Sequence, residues 1–216
     1  MLTREHKKML LFALYLTSMV LVNTLGSKIT TLGTIRASVG VFFMPILFLV
    51  TDIVGEVYGR KTSALFVNLS SFMLIFMFAM MGLCIILPAN PTWGLQQSYA
   101  TIFGSSMRMT AASLISFFIA QHVDVLTFSF MKRLTKEKHL WIRNNVSTIV
   151  SQFLDTTIFM FIAFYHITDQ YTVPFIFSLI IPYWLFKVLF AFIDTPLCYL
   201  GVWWIRRGEA EQQPRT

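Results

Sequence analysis

The sequence predicts an all-α membrane protein, a single bundle of six transmembrane helices with both termini in the cytoplasm. Three observations predict it. Hydrophobic residues make up 56% of the chain and charged residues only 12%, about half the share found in soluble domains, and the mean hydropathy is +0.68. The apolar residues gather in six runs, each close to the ~20 residues that a helix needs to cross the hydrocarbon core. Lys and Arg concentrate in alternate connections between those runs, the bias that sets membrane topology.

Arg4, Lys7 and Lys8 precede the first run, Met9–Leu25. A basic start before an apolar segment also describes a signal peptide. No small-x-small cleavage site follows it, so the segment is read as an uncleaved span, with Asn23 near its end. Gly26–Gly40 reads as a polar link carrying Lys28 and Arg36. The second span, Val41–Tyr58, contains Pro45, Asp52, Gly55 and Glu56. Pro and Gly inside a span require neighbours or cavity water to satisfy the freed backbone groups. Glu56, beside Arg60 and Lys61, is expected at the interface, and Asp52 in a cavity. The third span is Thr62–Leu87, stopped by Pro88.

Within the loop Ala89–Ser106, Gln96–Phe103 is expected to lie as a short interfacial helix, with Trp93 and Tyr99 at headgroup depth. Met107–Phe130 is the fourth span, with Arg108 snorkelling from its outer end. Met131–Asn144 is the most basic loop, Asn145–Phe164 the fifth span and His166–Pro174 a short turn. Phe175–Trp204 is the sixth span, long enough to tilt or to break at Pro182 or Pro196, and a polar tail follows. Residues 1–216 form one transmembrane domain on this reading.

The side holding both termini carries thirteen of the seventeen Lys and Arg residues, and the other side only Lys28, Arg36 and Arg108. Lys187 remains, inside the sixth span. The net charge of +7 therefore has a topological cause, and nucleic-acid binding needs no credit for it. Cys84 and Cys198 both lie in apolar runs and read as packed thiols, not a disulfide or metal pair. His122, His139 and His166 have no metal-ligand spacing. No phosphate loop, dinucleotide turn or nucleophile elbow is present. The chain is read as a non-enzyme without a cofactor, whose partners are the bilayer and a small molecule, as a monomer or a homodimer.

Candidate functional residues stand out by their cost. A charged side chain at mid-bilayer costs roughly 2.5–3.5 kcal/mol on insertion scales, and such residues face a bundle interior or a wet cavity. The fourth span carries Ser116, Gln121 and Asp124, and the fifth Ser147, Gln152 and Asp155, both in the pattern S-x4-Q-x2-D. At about 100° per residue each trio falls within an arc of roughly 140°. Ser and Gln alone could be helix-packing groups, but two mid-span carboxylates exceed what packing needs. Tyr183, Lys187 and Asp194 share a face of the sixth span. Lys187 is expected to pair with Asp194 or with an aspartate of another helix, either to fix the bundle or to switch it between states. Asn144 and Asn145 stand at the cytoplasmic mouth, and Trp184 beside Tyr183 offers a stacking face.

Four stretches carry a family resemblance: PILFLVTDIVGEVYGRKTS (45–63), ASLISFFIAQHVDVLTFSFMKR (112–133), LWIRNNVSTIVSQFLDTTIFMFIAF (140–164) and, more loosely, YWLFKVLFAFIDTPLCYLG (183–201). On these the sequence resembles the queuosine precursor transporters, a YhhQ-like family formerly classed among vitamin uptake transporters. The resemblance implies a six-helix inner-membrane importer of 7-cyano-7-deazaguanine or its aminomethyl relative, feeding queuosine modification of tRNA, with no ATPase of its own. The residues suit such a base. A carboxylate of Asp52, Asp124 or Asp155 can accept a ring N–H and an exocyclic amine together. Gln121 and Gln152 can meet the remaining edge, and aromatic faces can sandwich the ring. Two other readings stand beside the carrier: a substrate-binding membrane subunit that depends on a separate ATPase complex, and a membrane-embedded enzyme, for which no nucleophile or metal set accompanies the carboxylates.

Overall fold

The computed structural model describes residues 3–33, 35–135 and 140–210, with side chains outside the description at 32, 35, 132, 140–145, 191, 192, 194, 195 and 208–210. Among the described residues, six helices are long and apolar enough to cross a membrane, which makes this a multi-pass membrane protein. They are α1 (Arg4–Leu25), α2 (Met44–Tyr58), α3 (Arg60–Ile86), α4 (Gln96–Leu134), α5 (Leu140–Phe164) and α6 (Val173–Ala210).

Local chemistry sets several of the helix ends. Thr3 caps α1: its hydroxyl accepts the His6 N–H at 3.2 Å while the His6 ring reaches back to the Thr3 N–H, the reciprocal capping box. Pro45 lies in the first turn of α2, where its missing N–H is no loss, so it starts the helix and does not kink it. Gly59 joins α2 to α3 at φ +86°, a conformation that glycine adopts freely.

Several sequence expectations are corrected. Gln96–Phe103 is no separate interfacial helix, because α4 runs unbroken from Gln96 to Leu134. α6 continues through both Pro182 and Pro196. The link after α1 contains an antiparallel hairpin, β1 (Ile29–Leu32) with β2 (Ile35–Ser38), followed by a 3₁₀ turn over Val39–Phe42. Arg108 does not snorkel. Its guanidinium donates to the carbonyls of Ile162 and Tyr165 at the end of α5, filling acceptors that a helix C-terminus leaves open. Arg108→Gln should therefore lower stability by about 1–3 kcal/mol, with Arg108→Lys intermediate. Thermal unfolding of the detergent-solubilised variants checks this.

Helices α2, α3, α4, α5 and α6 touch one another in that cyclic order and close back from α6 to α2, while α1 packs against α2, α3, α4 and α6. The α2–α6 seam is tight at Gly201, where a Cβ would overlap Ile53 Cδ1. At the termini end, the buried Lys7 ammonium of α1 donates to the Trp204 and Ile205 carbonyls of α6 at 2.8 and 3.3 Å. Arg4 reaches the Val57 carbonyl of α2 there as well. At the opposite end the hairpin contributes Ala37, and the 3₁₀ turn Val41, to an apolar cluster with Phe164, Ile176 and Ile180.

Candidate functional site

The ring of helices encloses a cavity of about 400 Å³ lined from all six of them, within the ~300–1,000 Å³ usual for small-molecule sites. All of its carboxylates and glutamines come from α4 and α5. Ser116, Gln121 and Asp124 all line it, with Gln152 and Asp155 facing them from α5, whereas Ser147, the α5 counterpart of Ser116, does not. Asp124 Oδ1 accepts the Ser151 hydroxyl at 3.1 Å. Asp155 Oδ2 lies 2.8 Å from Lys187 Nζ of α6, so the fifth and sixth helices are joined by an ion pair at the cavity wall. The two partners differ in exposure. The Lys187 side chain is 5% exposed and that of Asp155 21%, so the carboxylate keeps the wetter position. The ammonium also stands 5.8 Å from the Tyr183 ring centroid.

The Oε1 of Gln152 is buried and has no hydrogen-bond partner among the described residues. A buried acceptor left open costs about 1–3 kcal/mol, and here it belongs to a side chain of the cavity wall. Gln152→Leu should raise thermal stability slightly while weakening ligand binding at least tenfold, a pairing of opposite signs that isothermal binding and melting measurements on the same sample will read. The apolar wall supplies ring faces from Tyr15, Phe48, Phe117, Phe159 and Tyr183. Flat heterocycles stack on such faces.

The cavity thus brings together seven of the residues singled out from sequence: Ser116, Gln121, Asp124, Gln152, Asp155, Tyr183 and Lys187. Asp52 is not among its lining residues. It faces a second cavity on the termini side of α2, because Thr51 takes the inward direction. Ser147 is buried within the bundle and is not part of the wall. Trp184 turns from the cavity onto Phe153, with ring centroids 5.5 Å apart in an edge-on contact. The side chains of Asn144, Asn145 and Asp194 lie outside the described residues. Lys187 pairs across to another helix, with Asp155, the second of the two alternatives for it.

Sequence reasoning missed Asn23, Ser113, Thr148 and Ser151. Asn23 is buried in α1, donates through Nδ2 to the Met19 carbonyl at 2.8 Å and accepts the Ser113 hydroxyl at 2.7 Å through Oδ1. An amide so deep in an apolar run was the available signal. Ser and Thr give little, because their hydroxyls can fold back onto their own helix.

A comparison with known proteins decides the family. Residues 38–201 match the family model described as "Putative vitamin uptake transporter". The chain is also 32% identical over 175 residues to a "Probable queuosine precursor transporter" of Bacillus subtilis (strain 168), covering 80% of this chain and 74% of that protein. The chain belongs to this transporter family. It is a transporter and not an enzyme. The family match takes in every cavity residue from α2 onward, while Tyr15, Met19, Val22 and Asn23 of α1 lie before it. No solved structure matches.

Proposed function

We propose that this transporter carries queuosine precursors, 7-cyano-7-deazaguanine and its 7-aminomethyl relative, inward across the bacterial inner membrane to supply tRNA queuosine modification. The observation that carries the reading is the convergence of Asp124, Asp155 and the open Gln152 acceptor on one aromatic-walled cavity. A deazaguanine presents a ring N–H beside an exocyclic amine, and one carboxylate can accept both. Asp124 is the better placed for this role, since Asp155 is engaged by Lys187. Gln152 then accepts a further donor, Gln121 offers its amide N–H groups to the ring carbonyl, and Tyr183 supports the ring face. The name of the Bacillus subtilis relative agrees with this substrate class.

The charge bias favours a cytoplasmic termini end, and inward is the direction that would bring a precursor to tRNA modification. Asn144, Asn145 and Asp194 belong to the path at that end on the same reading. The test is uptake of labelled 7-cyano-7-deazaguanine into proteoliposomes containing only this chain, with and without a pH gradient. Saturable uptake is expected. No uptake together with no binding would overturn the substrate assignment. Binding with uptake only after adding an ATP-hydrolysing complex would overturn autonomous transport. A gradient-dependent rate would make protonation part of the cycle.

A further inference from the structure

The second cavity, about 740 Å³ in volume, lies over the termini half of α2, between α3 and α6. Thr51, Ser63 and Val67 line both it and the central cavity. Along α2, Phe48 and Thr51 face the central cavity while Thr51 and Gly55 face the second. Spacings of three and four put these residues on one helix face, so the two hollows are stacked along a common wall. The partition between them is thin. Ser63 Oγ donates to the Thr51 carbonyl at 3.2 Å, and a Cβ on Gly55 would find only Ser63 Cβ, at 4.0 Å.

The second cavity's walls are not those of a lipid groove. Asp52, Glu56, Arg60 and Arg206 stand in it, and charged groups in contact with lipid are costly. Glu56 and Arg206, both lining it, form a pair at 3.8 Å whose side chains are 65% and 58% exposed, and so solvated an ion pair is a weak tie. At the hairpin end, by contrast, Phe164 and Ile180 belong to a buried apolar cluster.

We infer that this second cavity is the release vestibule of the transporter, reached from the binding cavity past Thr51, Ser63 and Val67. The inference rests on the transport reading above. The heterocycle leaves its carboxylate partners, passes the α2–α3 seam beside Gly55, and meets water and polar side chains in the vestibule.

Cys198 lines the vestibule, whereas Cys84 lies on the exposed surface of α3, so the natural thiols supply the probe. A Cys84→Ala protein is treated with a bulky, charged methanethiosulfonate reagent, and modification at Cys198 is confirmed by mass. Uptake of labelled 7-cyano-7-deazaguanine should fall at least tenfold, with the equilibrium affinity of solubilised protein unchanged within twofold. The Cys84→Ala/Cys198→Ala protein should be insensitive to the reagent. Three results would overturn the vestibule: no reaction at Cys198, full modification with unchanged uptake, or an equal loss of binding and uptake. A second variant, Gly55→Leu, should reproduce the block without the reagent and leave binding intact. Unmodified Cys84→Ala protein is the reference for transport itself. Its failure to take up the base would fall on the functional reading, while reactivity at Cys198 would still report on the vestibule.

Discussion

Asp155→Leu is expected to lower the yield of folded protein sharply, and Asp155→Asn to reduce uptake about 100-fold or more while the protein still inserts. Removing one partner of a buried ion pair costs on the order of 3–5 kcal/mol, because the other charge is left without compensation. Here the stranded group would be the Lys187 ammonium, the drier of the two at 5% exposure. The reverse variant, Lys187→Leu, strands a carboxylate that is 21% exposed and opens on the cavity, so its stability loss should be smaller. The double variant Asp155→Leu/Lys187→Leu should recover folding and not uptake. Thermal midpoints of the four proteins, with uptake measured in parallel, check the ordering. Equal stability losses from the two single changes would sink the argument.

Asp124→Asn should abolish substrate binding with little change in stability. The amide keeps an oxygen for the Ser151 hydroxyl, the partner of Asp124 among the described residues. It replaces a charged acceptor with a donor opposite the two donors of the base. Hydrogen bonds to charged groups contribute about 1.5–3 kcal/mol each, so two of them correspond to roughly 100-fold or more in affinity. A binding titration checks this. Near-normal affinity would move the base edge away from Asp124. Asp124→Glu should retain part of the binding, because the charge survives but its position shifts by one methylene.

Much of this site could be read from sequence for one reason. In a bilayer, ionisable groups are expensive enough to identify themselves, and Asp124, Asp155 and Lys187 all proved to face a common hollow. The spans were legible on similar grounds, although α4 and α6 outrun the hydrocarbon at 39 and 38 residues, beyond where hydropathy can mark an end. Orientation around a helix was harder. A carboxylate's cost marks it as inward or wet but not which hollow it meets, and Asp52 missed the central cavity by one residue. Trp184 misses it in the same way, one residue past Tyr183. The hairpin was hidden because each strand has only four residues, too few to show an alternation. Its strands do carry β-branched Ile29, Thr30, Thr31 and Ile35, with Gly33 at φ +62° between them. Those are the ordinary signs of a hairpin.

The bond from Lys7 to the end of α6 has a consequence for how the protein is made. The ammonium's acceptors lie 197 and 198 residues downstream. During translation the first helix therefore enters the bilayer long before the groups that will receive its lysine exist. Until then the ammonium has to stay hydrated at the membrane surface, since burying it alone costs several kcal/mol. Closure of the ring is thus a step that follows synthesis of the sixth helix, and a ribosome stalled after α5 would hold an open bundle whose first helix has not yet settled to its final depth.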